Sequence, residues 1–384
     1  IIMNNFKAVI DVGSKNLKLG IFNNEDKSIY SSKQKINDTL EKSLNILVRD
    51  AEKYLSSHID DVVVLYDSPK YYSLEISIKK VFDYNTSIKK IYNDLIQEAH
   101  FLISQNNFKD QIIHLIINNI IVDDNKTLDK ITDDIKVKSL VLEIKFICLN
   151  KILIESITNK FKNNNLKLSN LYCTSYVKIY SYKKQLTSKD YLFFIDIGFE
   201  RSSGFMFNDG KFEFFKSIPI GGNNITKDIS KVLKLSLEYS EDLKINFNRS
   251  ENDISFIKKS ANETNLFSET IEKNISNDLL KQIIEARLDE IIELSILDSM
   301  SIKNLNPLSK HKLIVSGGGS KLLSNNYNLR INKKFSELVS YDENDSIVCE
   351  TGLNYHKSNE SFHIKTKEKS KKLGFFENFF NIFS

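Results

Sequence analysis

At 384 residues the chain is too long for one small core and fits two or more lobes. Charged residues at 27% and hydrophobic ones at 41% describe an ordinary soluble globular protein, and a net charge of +4 gives no reason to expect a nucleic-acid partner. Three widely spaced cysteines, Cys148, Cys173 and Cys349, argue against a disulfide framework or a CxxC metal site and for a reducing cytoplasm; no apolar run approaches the ~20 residues of a membrane span, and the N-terminus runs into a strand without a signal peptide's layout.

Lys7–Phe22 reads as a hairpin whose first strand ends at Asp11-Val12-Gly13 and whose second resumes at Leu17. Thr39–Leu55 has the apolar spacing of an amphipathic helix, and Asp61–Tyr66 (DVVVLY) reads as a buried strand. Strand, helix and buried parallel strand together are an α/β signature. A helix over Ser87–Ser104 follows, then strands over Ile112–Val122 and Ile135–Cys148, then a helix over Lys151–Phe161. This α-β-β-α segment, residues 84–165, reads as an insert packed on a first lobe of residues 1–83. Between its strands, Asp123, Asp124, Asp129, Asp133 and Asp134 lack EF-hand spacing and read as a solvated loop.

Leu166–Cys173 is a further strand, Ser175–Lys184 a short helix, and Tyr191–Phe207 a second hairpin that breaks at Asp196-Ile197-Gly198 and resumes at Gly204. Two hairpins on one plan suggest a duplicated half. A buried strand ending in Asp-x-Gly delivers a carboxylate to a cleft, and Gly13 and Gly198 let the following N–H groups turn toward an anion. Two such tips facing each other suit a phosphate chain with Mg²⁺; one alone reads more simply as the end of a strand. Beyond the strand Lys211–Ile218, Gly221-Gly222 opens a helix expected over Ile225–Leu237, with Thr226 and Asp228 in its first turn favouring an anion or a cap. Ser276–Met300 reads as a long helix, and the strand His311–Ser316 leads into Gly317-Gly318-Gly319-Ser320, where a flat ligand or phosphate could approach the backbone.

In this order the pieces resemble the actin/Hsp70/sugar-kinase ATPase superfamily, with phosphate loops at Asp11–Lys15 and Asp196–Ser203 and an adenosine loop at Gly317–Ser320. Within it, IPIGGNNITKDIS (218–230), SEDLK (240–244), EARLDEIIEL (285–294), VSGGGSKL (315–322) and ETGLNY (350–355) resemble segments of the bacterial cell-division FtsA family. The resemblance implies an α/β, actin-like (ribonuclease H-like, duplicated) two-lobe fold with an inserted α+β subdomain. The first lobe would be completed by residues 166–193 and about 349–362, the second would have its core in 194–222 and 305–348 and a helical part in 223–304, and 363–384 would be a basic linker and terminal helix.

The resemblance further implies that ATP and Mg²⁺ are bound between the lobes. Asp11 and Asp196 would hold the hydrated metal, Ser14 and Lys15 would face the phosphates, Glu241 and Lys244 would reach ribose and adenine, and Gly318 and Gly319 would flank the nucleotide. No catalytic residue is implied. The second phosphate loop departs from the family's Asp-x-Gly-Gly-Gly-Thr-x-Asp, since Phe199 and Glu200 replace glycines and Ser203 the final acid. Glu200 would repel a triphosphate unless Arg201 paired with it or with the phosphate, so weak nucleotide binding and slow or absent hydrolysis are expected.

His356–Ser370 reads as an irregular linker with clustered lysines. The last residues, LGFFENFFNIFS, place Leu373, Phe375, Phe376, Phe379, Phe380, Ile382 and Phe383 on one half of a helical wheel, which fits interfacial membrane binding better than core packing. The expected function is a cytoplasmic scaffold, peripheral on the inner membrane face at the division site, that self-associates into actin-like filaments and joins FtsZ, through its C-terminal tail, and other divisome proteins to an anionic membrane. Alternatives are a small-molecule kinase of the same fold, for which no sugar pocket or catalytic carboxylate is evident, or a pilus-type assembly scaffold. Replacing Phe376 or Phe380 by Glu should sharply reduce co-sedimentation with anionic liposomes; unchanged sedimentation would remove the membrane role.

Overall fold

The computed structural model describes residues 6–107, 109–123, 126–128, 130–131, 135–185, 191–247, 277–298, 311–323, 335, 337–340 and 345–363. The terminal stripe, Leu373–Phe383, lies outside them. Strands β1 (Lys7–Val12) and β2 (Asn16–Phe22) form the first expected hairpin, with Asp11 opposite Lys18. An edge strand β3 (Ser28–Lys35) and the parallel strands β4 (Asp61–Tyr66) and β9 (Lys167–Cys173) complete a sheet of order β3-β2-β1-β4-β9. The second expected hairpin, β10 (Leu192–Ile197) and β11 (Ser202–Asn208), sits in a sheet of the same plan. With β12 (Lys211–Ile218), β13 (Lys312–Ser316) and β14 (Glu337–Ser340) its order is β12-β11-β10-β13-β14. In both, an antiparallel pair on one side of the central strand meets a parallel pair on the other, so the duplication seen in the hairpins extends to whole sheets.

On one face of the first sheet lies α1 (Leu40–Leu55), capped by the Thr39 hydroxyl, which accepts from the Lys42 N–H at 3.3 Å. It buries Leu44, Leu47, Val48 and Ala51. The space between the sheets is filled by α4 (Thr174–Gln185) and α8 (Asp345–His363), which pack on each other. Strand parity in β10 sorts the second lobe: Phe193, Ile195 and Ile197 enter a core with α5 (Gly222–Leu233) and α7 (Asn277–Ile292), whereas Leu192 and Phe194 join the core shared with the first lobe. Asp196 therefore faces the side on which α4 lies.

Several expected boundaries move. The helix expected over Ile225–Leu237 begins at Gly222 and stops where Lys234 takes φ +55°; α6 (Leu237–Asn246) then starts under the Ser236 cap. Thr226 and Asp228 thus sit beyond the first turn. The helix expected to Met300 ends at Ile292 in a π-helical turn, Glu293–Leu297, whose Ser295 carbonyl lies against Gly204. His356–His363, expected as irregular linker, continues α8: the Tyr172 hydroxyl lies 3.0 Å from His356 Nδ1, and Lys357 pairs with Asp26. Beyond the expected elements the structure adds β3, β14 and, in the third sheet, β5 (Tyr72–Ser87) and β7 (Lys126–Leu128).

That third sheet, β5-β8-β6-β7, contains β6 (Asp110–Val122) and β8 (Lys136–Asn150) and is covered by α2 (Ile88–Asn106). After it, α3 (Lys151–Lys162) returns the chain to the first sheet. Asp123 proves to be a local cap, its carboxylate accepting from the N–H groups of Lys138 and Ser139 at 2.8 and 3.1 Å. Both lobes touch this unit. Asn118 bridges to the Phe212 backbone in both directions, at 2.7 and 3.0 Å, and Lys145 Nζ donates to the Glu213 carbonyl at 2.6 Å. Among the described residues no helix is long and apolar enough to cross a membrane.

His114 makes the tie to the first lobe. Its Nε2 accepts from the Cys173 N–H at 2.9 Å, which leaves the proton on Nδ1 to donate to the Tyr355 hydroxyl at 2.7 Å. Tyr172 and Tyr176 pack around the ring. Burial holds its pKa down at about 3. The folded pKa lies below the unfolded one, so the full stability is present above about 6.5 and is lost as pH falls toward 3, by up to about 1.4 kcal/mol per unit. His114→Gln, which retains one donor and one acceptor, should flatten the acid limb of a urea-melt pH profile between roughly pH 6.5 and 4; an unchanged limb would mean that other groups govern it.

Candidate functional site

The two hairpin tips meet at the start of α4. Thr174 Oγ1 donates to Asp11 Oδ1 at 3.1 Å, and the neighbouring Ser175 Oγ donates to Asp196 Oδ2 at 3.0 Å. Adjacent residues of one helix turn thus hold the two carboxylates, which are 6% and 1% exposed. The turns beyond them close alike, by Gly13 N–H to Asn16 carbonyl at 3.1 Å and Gly198 N–H to Arg201 carbonyl at 2.8 Å. Both hairpin tips thus end at the first turn of α4.

What fills the space between the tips is protein. Asp196 Oδ1 accepts from Lys178 Nζ at 2.9 Å and Ser316 Oγ at 3.0 Å, and Arg201 reaches Oδ2 at 3.3 Å. Burial pushes the Asp196 carboxyl up, but the Lys178 charge and the hydrogen bonds from Lys178, Ser316 and Ser175 outweigh it and hold the group ionised, below the ordinary carboxylate range. The Arg201 guanidinium also crosses to Asp67, at the end of β4 in the other lobe. Asp67 is held in place by the Ser175 N–H at 3.1 Å and by Cys173 Sγ at 3.1 Å, a thiol that burial raises to about 12 and so keeps protonated. Arg201 therefore pairs with Asp67 and Asp196, and Glu200 points to solvent. Lys18 stands 3.8 Å from Asp11. The carboxylates of Asp11, Asp67 and Asp196 face the cations of Lys18, Lys178 and Arg201, so the formal charges balance.

A second ionic cluster bridges the lobes nearby. Lys15 Nζ, from the first hairpin turn, donates to Glu241 Oε1 at 2.7 Å; Lys244 Nζ donates to Oε2 at 2.6 Å, and the Thr226 hydroxyl also bonds to Glu241. Burial alone would raise the Glu241 carboxyl, but the hydrogen bonds from Lys15, Lys244 and Thr226 bring it down to about 2. Lys244 further donates to the Gly222 carbonyl at 2.9 Å, and the Phe199 ring lies 4.9 Å from Lys15 Nζ and 5.7 Å from Lys244 Nζ. The replaced loop glycine thus serves as an apolar platform under two ammonium groups. The N-terminus of α5 is likewise engaged: the N–H groups of Gly222 and Asn223 donate to the carbonyls of Gly198 and Phe199 at 2.9 and 2.6 Å.

Of the residues expected at the site, Asp11, Gly13, Lys15, Asp196, Gly198, Arg201, Gly221, Gly222, Glu241, Lys244, Gly317 and Gly319 belong to this assembly. Ser14 is exposed at the first tip, and a Cβ on Gly318 would meet nothing within 4 Å. Asp67, Ser175, Lys178 and Ser316 do as much of the bonding. Ser316 sits within the quoted VSGGGSKL segment and Asp67 follows a buried strand, whereas Ser175 and Lys178 carry no motif.

Asp196 has both carboxylate oxygens committed to protein donors, two of them cationic, and the α5 amides face carbonyls. A hydrated Mg²⁺ needs free carboxylate lone pairs, and a phosphate needs free amides. This arrangement does not fit a metal–nucleotide.

Duplicated mixed sheets with acidic hairpin tips converging on a helix between them define the actin-like fold. Solved structures agree: a PilM–PilN type IV pilus biogenesis complex matches at 13% identity and TM-score 0.58, covering 92% of this chain and 98% of that one, and MreB 5 of Spiroplasma citri bound to AMPPNP matches at 12% and 0.50, covering 94% and 98%. Likenesses at this identity are ones of fold.

The sequence points more narrowly. Residues 193–334 match the family model described as cell division protein FtsA. The cell division protein FtsA of Bacillus subtilis (strain 168) is 34% identical over 118 residues, 29% of this chain and 26% of that protein. The chain's matches span about a quarter to a third of the length of the curated relatives, from 26% to 34%. The family-model match lies within the second lobe.

Gly317 leads the glycine run out of β13 at φ +85°, and a Cβ there would stand 2.5 Å from the Ile197 carbonyl and 2.8 Å from Asp196 Oδ1. Gly317→Ala should cost about 1–3 kcal/mol of stability, read as a lower melting temperature; an unshifted melt would show that the turn can relax.

Proposed function

We propose that the chain is a cell-division scaffold of the FtsA type. It self-associates through its actin-like body, is held on an anionic membrane surface by its last residues, and joins FtsZ and other divisome proteins to the inner face of the membrane at the division site. The observation that carries this reading is the match to the FtsA family across residues 193–334 on a chain whose two actin-like halves are both built.

The membrane part rests on the sequence stripe from Leu373 to Phe383 and the lysines before it. Seven apolar side chains retaining about 1 kcal/mol each, with up to about 1 kcal/mol from each of a few lysines near anionic lipid, give a gross gain of about 10 kcal/mol. Ordering the helix takes back several of these. One tail binds reversibly, and tails held together in a filament bind strongly because later contacts become intramolecular. Attachment and self-association then reinforce each other.

Such a chain binds nucleotide weakly. ATP with Mg²⁺ would have to displace Arg201 and Lys178 from Asp196 and Lys15 from Glu241, so affinity is low and turnover slow or absent. Reconstitution tests the whole: the full chain should bring FtsZ polymers onto anionic vesicles, and deletion from Leu373 onward should leave them in solution. Full chain that sediments with the vesicles and recruits no FtsZ would sink the proposal.

A further inference from the structure

The residues that the actin-like fold aims at a shared ligand are here bonded to one another across the lobes. Arg201, on the second hairpin, forks between Asp67 of the first lobe and Asp196 of its own, and both carboxylates are nearly wholly buried, their side chains 3% and 1% exposed. Lys15, on the first hairpin, reaches Glu241 on α6 of the second lobe at 2.7 Å. The first pairing is buried and the second part-exposed, with Lys15 29% exposed. Phe199 packs against Lys15 and Lys244, so the loop that departs from the family pattern supports the outer pair. Lys178 adds a second cation to Asp196 from the helix between the lobes.

We infer that the lobes are held closed by these protein ion pairs, with Arg201 as the resident cation, so that closure needs neither nucleotide nor divalent metal. The inference rests on the two-lobe scaffold reading only in placing the cleft where that reading puts ATP. Two charges buried in a pair strongly oppose the removal of either partner, because the survivor is left unpaired in a low-dielectric site. Opening the lobes would part Asp67 from Arg201, which stays with Asp196 on its own hairpin. A closed state of this kind leaves self-association permanently available, governed by concentration and by the surface that gathers the chains, with no dependence on a nucleotide cycle.

The experiment is a thermal melt and an amide-exchange measurement on the full chain, each in EDTA and in millimolar ATP with Mg²⁺. The wild type should melt within about 1 °C in the two conditions, with the hairpin turns at 13–16 and 198–201 equally protected. Arg201→Ala should melt lower and should recover part of the loss when Mg²⁺ is present, because Asp67, left without its cation, then attracts a divalent ion. Lys15→Ala, at a part-exposed position, should exchange faster at both turns while melting nearly as the wild type. A wild-type rise of more than about 4 °C with ATP and Mg²⁺ would overturn the inference, as would unchanged exchange in Lys15→Ala. If Arg201→Ala does not fold, Arg201→Gln, which removes the charge and keeps a polar side chain, takes its place with the same expectation. None of these readouts involves lipid or FtsZ, so failure of the scaffold reading would appear separately.

Discussion

A carboxylate at 1% exposure must be paired, and the pairing of Asp196 organises the centre of this molecule. Its partners come from three places: Arg201 from its own hairpin, Lys178 and Ser175 from the helix between the sheets, and Ser316 from the neighbouring parallel strand. Because Arg201 also bonds to Asp67 and Ser175 lies next to Thr174, the same network takes in Asp67 and Asp11 of the other lobe. Hydrophobic burial joins the lobes beneath it, through Tyr176 against Phe205 and Phe212 and Tyr182 against Phe194. That apolar layer supplies cohesion; the ionic layer above it fixes how the halves face one another.

The third sheet extends this. It belongs by chain order to the first half, yet Asn118 and Lys145 bond to β12 of the second, while His114 is locked against Cys173 and Tyr355. Cys173 in turn bonds to Asp67. The insert, the central helices and the ionic cluster are one continuous set of contacts, so a displacement of the lobes would be felt in the insert.

Departure from the family's glycine-rich loop has a compensating logic. Glycines in a phosphate loop keep backbone amides accessible. With Phe199 and Glu200 in their place, the loop carbonyls accept the first N–H groups of α5, and the Phe199 ring lies against Lys15 and Lys244. The loop at 199–200 is thus engaged by the chain's own amides and ammonium groups.

The sequence by itself determined the elements with strong local signals. Two strand-Asp-x-Gly hairpins, the buried strands at 61–66 and 312–316 and the amphipathic α1 follow from period-two and helical patterns, and the repeat of the hairpins foretold the repeat of the sheets. Short or mostly exposed elements such as β3, β7 and β14 carry too little pattern to stand out, and β5 is stabilised chiefly by pairing along β8. Only tertiary structure decided what the carboxylates bind. Nothing local to Asp67, Ser175 or Lys178 says that they meet Asp196 and Arg201, because charge pairing acts over a few ångströms in space and is blind to the more than one hundred residues that separate Asp67 from Arg201 in the chain.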